Sequence, residues 1–159
     1  MKRQMLLAAG VALAATSLQA DVIAPDAVVM SEYGEVMESL TGEPGNAERG
    51  RDILVSRALG NCLACHAVSA LADEPWHGEV GPSLDGVAAR WDEPALRGLL
   101  VNSDMVFPDS IMPAFYKVSG FIRPGDRFTT RPAPEDLQPI LSAQEIEDVL
   151  AYLMTLTDY

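Results

Sequence analysis

The strongest chemical signal in this 159-residue chain is the run Cys62-Leu63-Ala64-Cys65-His66. Cysteines three apart share one side of a helical turn, from which two thiols can reach the two vinyl groups along one edge of a porphyrin. The histidine that follows then falls beneath the iron and supplies an axial nitrogen. This is the attachment motif of a c-type haem, so the expected cofactor is one haem c held covalently through Cys62 and Cys65. Two other chemistries use the same residue types. A thioredoxin-like redox pair calls for a βαβ setting, of which the sequence gives no sign. A zinc site needs four ligands, and beside the cysteines only His66 and His77 remain, with His66 poorly placed next to Cys65.

The iron needs a second axial donor from elsewhere in the chain. Met112 is favoured, in a Ser-Ile-Met-Pro-Ala-Phe loop where Pro113 stiffens the backbone and removes a donor. Met105, in the same loop region, is its rival. His77 would make a bis-histidine site, but it sits in an exposed-looking Glu-Pro-Trp-His-Gly stretch. Met30, Met37 and Met154 read as packing residues. With His66 and Met112 both bound, the iron has no open position, which points to outer-sphere transfer of single electrons and away from catalysis on this haem.

These residues must be positioned by helices. Asn46 can cap a helix from Ala47 to about Leu59, with Gly50, Leu54 and Ala58 along one face and Gly60 as the stop. A small residue in that stripe invites close contact with another helix. Asp92, Glu93 and Pro94 open a second helix that ends near Asn102, with Leu96, Leu99 and Leu100 on its apolar side. Ser142-Ala143-Gln144-Glu145 is a capping box, and Ile146, Val149, Leu150, Leu153 and Leu156 continue a helix almost to the C-terminus. Between them lie Gly- and Pro-rich connections with no alternating strand pattern. The expected fold class is all-α: three main helices with long loops around a covalent haem. Loops this long normally count against such an assignment, but a large apolar cofactor gives them something to pack on.

Residues 1–20 read as a signal peptide removed on export. Lys2 and Arg3 begin it, Met5 to Ala15 form the apolar run, and Ser17-Leu18-Gln19-Ala20 ends on a small residue. The run is about 11 residues, too short to cross a hydrocarbon core that needs about 20. Residues 21–45 are expected as an N-terminal arm outside the core, with a short helix around Ser31 to Leu40, and residues 46–159 as the cytochrome c domain. Losing Lys2 and Arg3 takes the formal net charge from −12 to −14. An acidic surface repels nucleic acid and anionic membrane, so neither is expected as a partner, and a basic docking face is favoured.

Several stretches carry a resemblance to class I cytochromes c, whose helix-crossing contact Gly50, Leu54, Val149 and Tyr152 match. A closer resemblance is to the SoxX family, the monohaem subunits of the SoxAX complexes of thiosulfate-oxidising bacteria. It rests on Leu40-Thr41-Gly42-Glu43-Pro44-Gly45, Gly50-Arg51, Gly60-Asn61 running into the haem motif, Gly81-Pro82-Ser83-Leu84-Asp85-Gly86-Val87, Met112-Pro113-Ala114-Phe115 and Pro139 to Asp148. Asn46 stands where this family is expected to have Asp, a swap that keeps the helix cap.

The resemblance implies a periplasmic electron-transfer subunit of a heterodimer. Its SoxA-like partner would hold the site where thiosulfate is joined oxidatively to a cysteine of a SoxYZ-like carrier protein. Electrons would leave to a soluble cytochrome c, and this chain would be half of an enzyme, without the sulfur-binding cysteine. The resemblance further marks the Pro82 carbonyl as acceptor for the axial histidine. It also leaves Arg90 as either a partner of a haem propionate or a surface charge at a helix start. The alternative of a different class is a free diffusible carrier serving a respiratory chain.

Overall fold

In the computed structural model, which describes residues 21–122, 124–125 and 130–158, Asn46 starts the first helix. Its side-chain oxygen accepts from the Arg49 N–H at 3.0 Å, and α1 runs Ala47–Val55. The helix stops four residues short of the expected Leu59. Ser56 turns extended, and the chain curls back so that the Gly60 N–H donates to the Ile53 carbonyl at 3.1 Å. That return brings Cys62 up against the end of α1, which a further turn of helix would have carried away.

A single turn, α2 (Val87–Arg90), precedes α3 (Glu93–Asn102), where the Asp92 side chain accepts from the Ala95 N–H and Pro94 fixes the first turn. The last helix, α4 (Ala143–Leu153), begins with the capping box, formed in both directions between Ser142 and Glu145. Short 3-10 turns complete the helical content, one of them at Cys62–Ala64. Among the described residues there is no strand beyond one isolated bridge between Gly125 and Pro132, so the all-α class expected from the sequence holds. None of their helices is long and apolar enough to cross a membrane. The expected leader, Met1 to Ala20, lies outside the described residues.

The core is organised by α1 crossing α4. A Cβ on Gly50 would run into the Asp148 carbonyl and meet the Tyr152 Cβ at 3.0 Å, so hydrogen alone fits between the two backbones. Gly45 makes the same close approach to Glu147. Asp148 locks the crossing. Its Oδ1 accepts from the Asn46 N–H at 2.8 Å, and its Oδ2 stands 3.3 Å from Arg49 Nε. Around this contact Leu54, Ile146, Val149 and Leu150 are buried almost completely.

The segment from Asp21 to Gly45, expected outside the core, wraps against it as a strap. Val36 and Leu40 are buried. The expected helix over Ser31 to Leu40 is replaced by turns, because Ser31 Oγ accepts from the Tyr33 and Glu35 N–H groups instead of leaving them to a helix. A buried ion pair ties the strap down. Arg97 of α3 binds Glu147 of α4 with two parallel bonds of 2.9 and 3.1 Å, and its third nitrogen donates to the Val36 carbonyl. Glu147 also accepts from the Leu40 N–H at 2.8 Å. Each charged head thus has several partners, the condition under which a buried pair repays its desolvation.

Because the obstacle to a side chain at Gly50 is backbone on α4, the Gly50→Ala variant is expected to lose about 3 kcal/mol of stability through overpacking. A denaturant titration followed by circular dichroism measures it; an unchanged midpoint would contradict the tight crossing.

Candidate functional site

One apolar cavity of about 600 Å³ opens beside the α1–α4 crossing, within the size range of cofactor pockets. Leu54 comes to it from α1, Leu96 and Leu100 from α3, Val149 and Leu153 from α4. It brings together Cys62, Cys65, His66, Pro82, Arg90 and Met112.

The histidine side is built from the turn outward. Cys62 to Ala64 form one 3-10 turn, and the His66 N–H donates back to the Cys62 carbonyl at 2.9 Å. Asn61 enters this turn in the left-handed region, φ 49°. A second stretch then lies along the motif: the Gly78 N–H donates to the Leu63 carbonyl at 2.7 Å and the Gly81 N–H to the Cys65 carbonyl at 2.8 Å. This places the Pro82 carbonyl 2.7 Å from His66 Nδ1. A carbonyl can only accept, so Nδ1 carries the proton and Nε2 keeps its lone pair for a metal. Gly81 makes the approach possible, since a Cβ there would stand 2.6 Å from Nδ1 and 2.8 Å from Nε2.

Asp85 fixes the loop between His66 and Pro82. Its carboxylate accepts from the Ser69 hydroxyl at 2.7 Å and the Ser69 N–H at 2.8 Å, and those bonds hold its pKa below the usual carboxylate range. Sequence reasoning gave Gly81 and Asp85 no individual role. The only available signal was a glycine immediately before the proline and an acid shortly after it.

Burial pushes the Cys62 thiol up to about 12, the reverse of what a nucleophilic or redox-active cysteine requires. A neutral thioether carries no such penalty, so the pocket suits a cysteine already converted to one. His77 turns out half-buried, not exposed, and both ring nitrogens are engaged: Nδ1 accepts from the Val68 N–H at 3.2 Å, and Nε2 donates to the Leu71 carbonyl at 3.0 Å. It braces a loop, and it does not line the cavity.

Of the methionines, Met112 lines the cavity, whereas Met105 is 52% exposed and contributes nothing to the lining. Met37 is exposed, and Met30 and Met154 pack partly buried against the core. The Arg90 guanidinium lies at the cavity wall and donates to the Asp85 and Ser83 carbonyls at 2.6 and 2.9 Å. It thereby braces the same loop that carries Pro82.

An open-mouthed apolar cavity lined by two cysteines, an imidazole with its lone pair free and a thioether is a set of donors suited to a haem. The cytochrome c family matches residues 47–157. Among solved structures, a chain of the crystal structure of SoxXA from P. pantotrophus is similar at 52% identity with a TM-score of 0.80, covering 85% of this chain and 98% of that one. No curated protein matches. The chain belongs to the cytochrome c family, with the class I fold and a single haem c carried on Cys62 and Cys65. Its likeness to SoxX, read from the motifs, is borne out, and it is a SoxX-type electron-transfer cytochrome.

Asp85 yields a pH-dependent test. A depressed pKa means that its contribution to stability is present above the unfolded value of about 3.9 and is lost as pH falls through the folded one. Asp85→Asn is therefore expected to melt below the parent protein at pH 7, with the gap closing toward pH 3. A gap that stays constant across that range would show that the carboxylate charge plays no part.

Proposed function

We propose that this chain is the electron-transfer subunit of a periplasmic SoxAX heterodimer, with His66 and Met112 as the two axial ligands of its iron. The observation that carries the reading is that one cavity gathers His66, its Nε2 free, and Met112, while Met105 and His77 are left out of it. Haem, when bound, supplies one-electron redox chemistry. The protein's part is to bind it, orient His66 through Pro82, exclude water with the leucines of α3 and α4, and keep small molecules off the metal. Arg90, which lines the cavity, would in this reading pair with a propionate while it braces the Pro82 loop.

In this reading a SoxA-like partner holds the sulfur site, where thiosulfate is joined to a SoxYZ-like carrier cysteine. Forming that sulfur–sulfur bond releases two electrons, so a single-haem subunit passes them one at a time to a soluble cytochrome c. The similar crystal structure is of SoxXA, which supports the partner. So does the rim of the cavity, where Val80, Phe107, Ile111 and Ile140 are all exposed. A ring of apolar side chains around the mouth suits a lasting interface better than the fleeting encounters of a free respiratory carrier.

Two measurements test the reading. Met112→Ala should lose the methionine-to-ferric-iron absorption and take up exogenous imidazole strongly, while Met105→Ala leaves the spectrum unchanged; the opposite pattern would move the ligand to Met105. The native protein, purified at low and high salt, should bring down a second cytochrome in equal amount and support thiosulfate-dependent reduction of a soluble cytochrome c. A cytochrome that runs alone, in a strain whose thiosulfate turnover survives its deletion, is the free carrier instead.

A further inference from the structure

We infer that Ser103 is the positioning residue for Met112, holding the ligand's backbone in register with the cavity; this rests on Met112 being the axial ligand. Ser103 sits where α3 ends, is 1% exposed, and lines the cavity. Its hydroxyl donates to the Met112 carbonyl at 2.7 Å. Its own carbonyl accepts from the Val106 and Phe107 N–H groups at 3.1 and 2.8 Å. The loop therefore begins and ends on one residue. Between those points the Ser110 N–H donates to the Phe107 carbonyl, and Ser110 Oγ accepts from the Met112 N–H at 3.2 Å.

Beyond Met112 the chain returns to α3, where the Phe115 and Tyr116 N–H groups take the Leu100 and Val101 carbonyls at 3.1 and 3.3 Å. Met112 is thus gripped on both sides, but the Ser103 bond is the one made to the ligand residue itself from the helix end. The same arrangement keeps Met105 away. Its backbone packs on the strap, where a Cβ at Gly34 would stand 3.1 Å from the Met105 carbonyl. A buried hydroxyl bound to a ligand's main chain moves no electron. Its effect is to cut the freedom of the loop, so that sulfur competes better with any other donor for the metal.

The test is competition by imidazole, titrated into the ferric, haem-loaded protein. Ser103→Ala is expected to bind imidazole about two- to tenfold more tightly than the parent, the range that one net hydrogen bond supports. Because Ser103 acts through Met112, the Ser103→Ala/Met112→Ala double variant should bind no tighter than Met112→Ala alone. Thr41→Val, which removes a buried hydroxyl bonded to the Glu43 carbonyl outside the cavity, should leave the affinity at the parent value.

Parent-like binding in Ser103→Ala, with Met112→Ala clearly tighter, would overturn the role of Ser103 and leave the ligand assignment standing. An equal rise in Thr41→Val, or additive effects in the double variant, would overturn it as general loosening. Parent-like behaviour in Met112→Ala would remove the ligand assignment itself and the role of Ser103 with it. If the alanine variant does not accumulate, Ser103→Cys, which fills the same space and donates only weakly, is read by the same criteria.

Discussion

The contact on which the rest of this structure depends is backbone against backbone: α1 lies so close to α4 that only glycine fits at positions 45 and 50. Side chains usually keep helices 8–10 Å apart. Here the approach turns Leu54 and Val149 into neighbouring parts of one wall, and that wall is a side of the haem cavity. The end of α1 then determines where the attachment turn begins. A shift at the crossing would carry Cys62 and His66 with it, and so the redox site inherits its geometry from a packing constraint at its back.

From this base the two stretches that bring His66 and Met112 to the cavity are built in the same way. Each residue belongs to a loop closed by hydrogen bonds at both ends, one through Asp85 and the Pro82 carbonyl, the other through Ser103 and the end of α3. Beyond a short 3-10 turn in each, at Ser69–Leu71 and Ser103–Met105, neither loop has regular structure, yet their backbone groups find partners in the other loop segments and in α3. Electron transfer gains from such stiffness. A site whose ligands barely move between oxidation states reorganises little, and ligand type and burial are left to set the potential.

What could be read from the sequence was local. Asn46, Asp92 and Ser142 announce helix starts because a cap is a bond to an N–H a few residues away, and all three form. The attachment motif is legible for the same reason, being five consecutive residues. The strap was not legible, because Leu40 reaches its acceptor, Glu147, across 107 positions, and no periodicity encodes that. His77 misled in a similar way. Its polar neighbours suggested solvent, whereas the Val68 and Leu71 backbones take both nitrogens. The early end of α1 depended on the return of Gly60 to Ile53, a choice between two local options that only the cavity decides.

The distance in sequence between α1 and α4 also orders the protein's maturation. Asn46 finds its anchor, Asp148, 102 residues later, so α1 has no partner until nearly the whole chain exists. A helix of nine residues does not persist alone in water. Until the last helix packs, nothing buries the Cys62 sulfur, and its thiol escapes the burial that raises its pKa in the closed fold. Once the crossing shuts, the Cys62 sulfur is buried and far harder to ionise. Joining pigment to polypeptide is thus easiest on the unfinished fold, and the apolar disc, once installed, gives the slow, long-range closure a surface on which to collapse.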